Sequence, residues 1–205
     1  IYNPGWAKQS EKLEWVQLAS AGYDAAVKPG VLPEGVRLTS AVGGYGLAVS
    51  EHMVAQTLAI VRLLGQYAIN QSTHVWKDMG DNIAIEGSVV AVLGMGDIGG
   101  SYGRKMKALG AYVIGVRKNN KEKPDWADEQ FLLDELDKVL PRADIVAMIL
   151  PGAEGTYHIM DEEKLMLMKE GSYLVNAGRG NSIDPSALKK AIKAGRLAGV
   201  ALDVT

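Results

Sequence analysis

Hydrophobic positions are spaced in two ways along this chain, and the change falls near residue 88. Beyond it, short unbroken apolar runs predict strands at 88–93, 112–116, 144–150, 172–176 and 199–204. The stretches between them carry helical spacing and predict helices at 97–109, 133–140, 162–168 and 185–194. In the first of these, Ile98, Tyr102, Met106 and Leu109 recur on one side, and Gly110 stands where a C-cap belongs. The last is punctuated by Asp184 as N-cap, Pro185 at the first helical position and Gly195 past the end, and Asp161 caps the helix that begins at Glu162. Runs such as Ile145 to Leu150 do not alternate, as expected of strands covered on both faces. Strand and helix in strict alternation with short loops predict an α/β fold with a doubly wound parallel sheet.

The pattern before residue 80 is weaker. Two strands are predicted at 13–19 and 36–42, with Pro29, Gly30, Pro33 and Gly35 punctuating the loop between them. A long helix is predicted from Ser50 to about Trp76, with Met53, Val54, Thr57, Leu58, Val61 and Leu64 on one side. Residues 78–87 read as a connector, which gives a first domain over 1–80 and a second over 81–205. The start, Ile1-Tyr2-Asn3-Pro4, and the stop at Thr205 just as an apolar strand finishes suggest a piece of a longer protein.

Composition narrows the classes of partner. The 205 residues are 47 % hydrophobic, enough for a large core, and the formal net charge is −2. That balance gives no electrostatic reason to expect nucleic acid or an anionic membrane as a partner. Cysteine is absent, which removes disulfides and thiolate chemistry and fits a reducing cytoplasm. No run reaches the roughly 18 apolar residues that a spanning helix needs.

The chemistry begins at the first strong strand. Residues 89–118 read VVAVLGMGDIGGSYGRKMKALGAYVIGVRK: a strand, a Gly-x-Gly-x-x-Gly turn, an amphipathic helix, a second strand and two cations. This is the order of a βαβ unit that holds a dinucleotide. Gly94 permits the tight turn, Gly96 lets backbone approach a pyrophosphate, and Gly99 lets the helix pack close to the sheet. The N–H groups of Asp97 and Ile98, at the helix start, would face the phosphates. An NAD site usually carries an acid at the end of the second strand, roughly 20 residues after the glycines. Arg117 and Lys118 stand there instead, and the guanidinium fork could clamp a 2′-phosphate, so NADP(H) is expected over NAD(H). Both cations would also suit an ordinary solvated loop.

Three more strand ends carry notable residues. After Leu150 come Pro151 and Gly152, an apolar edge that could wall an adenine or form a plain turn, which makes Leu150 and Pro151 cofactor candidates. Ala177-Gly178-Arg179-Gly180 sets an arginine between glycines, where it could hold a carboxylate through two hydrogen bonds, or serve as a salt-bridging loop residue. Asp203 could accept a hydrogen bond from a nicotinamide carboxamide or cap its strand.

Taken with LEWVQLASAGYD at 13–24, VSEHMVAQTLAIVRLL at 49–64, NAGRGNSID at 176–184 and GVALDVT at 199–205, the chain resembles the D-isomer-specific 2-hydroxyacid dehydrogenases. The resemblance implies a Rossmann nucleotide domain with part of a flavodoxin-like substrate domain. It implies reversible hydride transfer between a nicotinamide cofactor and a small 2-oxo or 2-hydroxy acid, glyoxylate or hydroxypyruvate for preference, with phosphoglycerate possible. Arg179 would be the catalytic arginine, the backbone of Ala21 and Gly22 part of the carboxylate pocket, and Asp203 the nicotinamide contact. Ala177 and Gly178 would line the cofactor. A homodimer is implied, with the long helix reaching over the partner. The family's catalytic Glu and His would lie after Thr205, and His52, His74 and His158 do not align with that His. Two other readings are a β-hydroxyacid dehydrogenase, which shares the glycines but not NAGRG or LDV, and a non-enzymatic, corepressor-like nucleotide sensor on the same fold.

Overall fold

The computed structural model describes residue 7 and residues 9–205; the Ile1–Pro4 start discussed above lies outside the described residues. Two compact units divide between Tyr45 and Gly46. The first is a small parallel pair, β1 (Trp15–Gln17) and β2 (Arg37–Thr39), in the register Val16 to Leu38. Both strands are shorter than the apolar runs at 13–19 and 36–42 predict. Val16, Leu18 and Ala26 form its small core, with Leu13, Leu32, Val36 and Leu38 packed against them.

The second unit opens with α1 (Gly46–Val61) and α2 (Leu64–Ser72). It continues as β3 (Val89–Leu93), α3 (Asp97–Ala108), β4 (Tyr112–Arg117), β5 (Glu129–Leu132), α4 (Leu136–Val139) and β6 (Ile145–Met148). Then come α5 (Glu162–Leu167), β7 (Ser172–Asn176), α6 (Pro185–Lys193) and β8 (Leu197–Leu202). All six strands pair in parallel, in the order β5-β4-β3-β6-β7-β8. The chain builds outward from β3 to β5, then returns to β6 and builds the other way. That reversal leaves a crevice beyond the carboxyl ends of β3 and β6.

Successive side chains on a strand point to opposite faces, and here each face meets helices. Leu93, Ile114, Val146, Met148 and Leu174 pack on one side with Leu136, Val139, Leu165 and Leu188. Val90, Val92, Val113, Ala147 and Val175 pack on the other with Met53, Val61, Tyr102 and Met106. Helix α1 is fixed to α3 by a buried bond between Thr57 Oγ1 and the Tyr102 hydroxyl, 2.9 Å, and by Lys105 Nζ donating to Ser50 Oγ at 2.9 Å. Burial pushes the Tyr102 phenol far above its ordinary pKa, so it stays protonated. This packing places α1 with the nucleotide unit, whereas the sequence pattern put the division at 80/81.

The structure corrects several other expectations. The long helix starts at Gly46 rather than Ser50 and breaks at Leu63, whose φ is 54°; α1 and α2 are bent by 66° and helix ends at Ser72. The break falls at a leucine, with Gly65 two positions on in the first turn of α2. Strand β5, which pairs through Arg117 to Leu132, was not expected, because its residues are half-buried and its first two are polar. The helix predicted at 133–140 is a 3-10 turn (Leu133–Glu135), the single turn α4 and a second 3-10 turn (Leu140–Arg142) that contains Pro141. Leu109 follows α3 as its C-cap and is 42 % exposed, so it does not belong to the packed face. No single helix among the described residues is long and apolar enough to cross a membrane.

Candidate active site at the carboxyl edge of the sheet

The glycine turn is built by three different constraints. Gly94 has φ +105°, a conformation that L side chains rarely adopt, and a Cβ there would lie 2.5 Å from the Ile149 carbonyl oxygen. Gly99 lies directly beneath the Gly94 carbonyl, so the first turn of α3 sits against the loop with no room for a methyl group. Gly96 is the N-cap, with φ −79° and ψ −160°, and a Cβ there would meet nothing within 4 Å. The space above Gly96 is therefore free for a ligand, and the leading N–H groups of α3, those of Asp97 and Ile98, have no intrahelical acceptor. That combination of open backbone and orphan donors fits a pyrophosphate. The Asp97 carboxylate, an anion in this turn, lies against the backbone of Gly46 at the N-terminus of α1, a favourable place for a negative charge.

The other strand ends lock onto each other through glycines in sheet order. A Cβ on Gly178 would be 2.7 Å from both the N and O of Leu150, and one on Gly180 would overlap the Thr205 backbone. Ala177 N donates to Met148 O at 3.1 Å, and Asp203 N to Asn176 O at 2.9 Å. The loops after β3, β6, β7 and β8 thus form one continuous edge. Arg179 stands on it half-buried, with extended backbone (φ −141°, ψ 137°), and its Nη1 donates to Gly178 O at 2.8 Å.

The sequence-predicted residues fall out as follows. Gly94, Gly96, Asp97, Ile98, Gly99, Ala177, Gly178, Arg179 and Asp203 share that edge. Leu150 joins the core at 5 % exposure with its backbone against Gly178, and Pro151 beside it is exposed. Arg117 ends β4 half-buried and Lys118 follows it exposed; neither side chain has a hydrogen bond or ion pair among the described residues. Ala21 and Gly22 lie in the first unit, in the turn after β1, where Ser20 Oγ donates to Gly22 O at 2.8 Å.

Two participants had no site role assigned from the sequence. His52 Nε2 lies 3.2 Å from Asp203 Oδ1, joining α1 to the end of β8. Asn176, at 0 % exposure, holds the arginine loop through its side-chain amide. His74 and His158 are positive-φ loop residues; His158 N donates to Asn181 O at 2.9 Å, beside the Arg179 loop, and its ring stacks on Tyr157 at 4.0 Å. Among the described residues no group of three His, Asp or Glu could hold a metal ion.

Residues 54–205 match the family described as D-isomer specific 2-hydroxyacid dehydrogenase, NAD binding domain. The chain belongs to this family. It is 35 % identical over 205 residues to a Corynebacterium melassecola protein described as an uncharacterized protein in the proB 3′ region, covering 98 % of this chain and 67 % of that one. A D-isomer specific 2-hydroxyacid dehydrogenase family protein from Aeromonas salmonicida superposes with a TM-score of 0.87 at 30 % identity, over 98 % of this chain and 66 % of its own. The NADPH-dependent glyoxylate/hydroxypyruvate reductase of Sinorhizobium meliloti, solved with NADP and sulfate, gives 0.86 at 26 % identity, over 100 % of this chain and 66 % of its own. The chain thus spans about two thirds of the length of these three relatives.

Proposed function

We propose that this chain supplies the NADP(H) site and the substrate-gripping arginine of a D-2-hydroxyacid dehydrogenase that reduces a small 2-oxo acid such as glyoxylate or hydroxypyruvate. The observation that carries the reading is the shared edge, on which the glycine turn and the Arg179 loop are registered against each other through Ile149 and Leu150. The N–H groups of Asp97 and Ile98 bind the pyrophosphate, and Arg117 and Lys118 take the 2′-phosphate. Asp203 accepts from the nicotinamide carboxamide. Arg179 holds the substrate carboxylate and polarises the adjacent carbonyl, and the family resemblance assigns carboxylate binding to the Ala21–Gly22 backbone as well. When bound, NADPH supplies the hydride for C2 of the 2-oxo acid. The alkoxide proton then comes from the His–Glu pair that the family resemblance puts after Thr205, and none of His52, His74 and His158 is assigned that role.

The cofactor preference rests on Arg117 and Lys118, two cations at the end of β4 without a side-chain partner among the described residues. Fluorescence titration with NADPH and NADH tests it. A charge-assisted contact contributes about 1.5–3 kcal/mol, so Arg117→Asp should weaken NADPH binding by roughly 10- to 100-fold and leave NADH binding equal or tighter. Equal or tighter binding of NADH by the unaltered protein would refute the preference.

The proposal extends to a homodimer. Helix α2 exposes Leu64 and Ile69, and Val75 and the fully exposed Trp76 follow it. A groove of about 800 Å³ beside them is lined by Tyr67, Asn70, His74, Val75 and Trp76. Apolar surface of this kind on a protruding segment suits a partner subunit.

A further inference from the structure

We infer that Gln130 is a positioning residue for cofactor discrimination, tethering the cationic loop that leaves β4. The inference rests on the reading that this loop meets a 2′-phosphate, and it concerns what fixes the loop rather than which cation touches the ligand.

Strand β4 ends at Arg117, and the loop that follows carries Lys118, Lys121 and Lys123. Lys123 is committed, since its Nζ donates to Ala127 O at 2.6 Å. Arg117, Lys118 and Lys121 have no side-chain partner among the described residues. A flexible loop would pay heavily in entropy to gather three such charges on one anion.

Gln130 supplies a restraint. Its Nε2 donates to the Lys121 carbonyl at 2.7 Å. The amide orientation follows from chemistry, because the opposite flip would set two oxygens face to face. Gln130 Oε1 is buried with no partner among the described residues, so the bond to Lys121 is the one described hydrogen bond of this side chain. The register gives the tether its consequence. Gln130 pairs with Gly115, whereas Arg117 pairs with Leu132 two positions further along. By Lys121, the chain has therefore doubled back to the level of Gly115. At about 3.3 Å per residue and 4.8 Å between strands, Gln130 lies roughly 8 Å from Arg117 along the backbone, and the Gln130 side chain with its hydrogen bond puts the Lys121 carbonyl within roughly 15 Å of Arg117. Lys121, exposed and held beside β5, can then reach the same anion with its long side chain and serve as the third cation of the site.

Gln130→Met removes the N–H donor and keeps the side chain's length. Titration of the full chain with NADPH and NADH should show the NADPH Kd rising about three- to tenfold, the span of one hydrogen bond's net contribution, with the NADH Kd unchanged. Lys121→Ala should weaken NADPH binding by a similar factor, and combining it with Gln130→Met should give less than the product of the two. Equal losses for both cofactors, or none, overturn the inference. Additive losses also overturn it, since tether and cation would then act separately. Arg117→Asp separates the two levels: if it shifts cofactor preference while Gln130→Met does not, the tether fails and the NADP(H) reading stands. If Arg117→Asp shifts nothing, the reading itself fails. Should Gln130→Met not fold, Gln130→Glu carries the same test, because its carboxylate repels the Lys121 carbonyl.

Discussion

The buried side chain of Asn176 holds the Arg179 loop at two points: Nδ2 donates to Arg179 O at 2.9 Å, and Oδ1 accepts from Gly178 N at 3.0 Å. Ser182 Oγ adds a second donor to Arg179 O at 2.6 Å. A single residue at the end of β7 thus satisfies the backbone of the turn that presents the guanidinium. Asn176→Ala leaves a buried N–H unpaired and removes one of two donors to the carbonyl. The expected cost is about 1–3 kcal/mol of stability, read as a lower urea midpoint. In full-length protein, kcat/KM for glyoxylate should fall on the order of tenfold or more, as a loosened arginine loses its aim. Unchanged midpoint and unchanged turnover would remove Asn176 from the site's architecture.

Gly96 and Gly99 make opposite predictions from the same motif. Gly99→Ala pushes a methyl into the Gly94 carbonyl, so loop and helix must separate. Overpacking of this kind costs about 1–3 kcal/mol, and both thermal stability and NADPH binding should drop. Gly96→Ala meets nothing in the protein, and its φ of −79° suits alanine. Its melting temperature should stay near that of the parent while NADPH binding weakens, because the methyl fills the space reserved for the pyrophosphate. Calorimetry with and without NADPH distinguishes the pair, and intact NADPH affinity in Gly96→Ala would contradict the placement of the phosphates.

Stability should also depend on pH through the sheet edge. Glu129 accepts from Arg142, through a contact of 3.1 Å at Oε2 and a closer one at Oε1, and from the Tyr112 hydroxyl at 2.8 Å. The Arg142 guanidinium holds the Glu129 carboxyl below its ordinary value of 4.5, although burial opposes it. The folded state therefore binds this proton less readily than the unfolded chain. The stabilisation is present above the unfolded pKa and is lost as pH falls through the lower folded one. Glu129→Gln should melt below the parent at neutral pH, and the gap should narrow below about pH 4.5. A gap that stays constant on acidification would mean the pair contributes nothing through ionisation.

Most of this architecture was legible because the central strands are covered on both faces. Their apolar runs are unbroken, and the helices between them are marked by Asp97, Asp161, Asp184 and Gly110. Strand β5 escaped because an edge strand with half-buried Glu129 and Gln130 has neither an apolar run nor alternation. The bend at Leu63 escaped because a left-handed leucine is not a recognisable breaker and an isolated glycine such as Gly65 is tolerated within a helix. At the site, the glycines and Arg179 announce themselves by type. Asn176, Gln130 and His52 do not, because their roles depend on partners brought in by the fold: a turn, a neighbouring loop, the carboxylate of Asp203. Leu150 shows the complementary limit: an apolar residue at a strand end reads the same whether it faces a ligand or the core, and here its side chain packs with the core.

The bend at Leu63 leads to a test of assembly. It turns α2 away from the line of α1, and none of its residues is buried. Ile69 is 65 % exposed and Trp76 fully exposed, a costly state for large apolar side chains unless a partner covers them. Ile69→Glu and Trp76→Glu together place two charges in that surface without touching the core or the cofactor edge. If a second copy covers α2, sedimentation should shift from dimer to monomer, because burying unpaired charges is prohibitive. NADPH affinity should hold within about twofold, since Arg117 and the glycine turn lie on other elements and distant substitutions act independently. A double variant that still sediments with the unaltered protein would show that α2 faces solvent, and would move any dimer contact elsewhere on the chain.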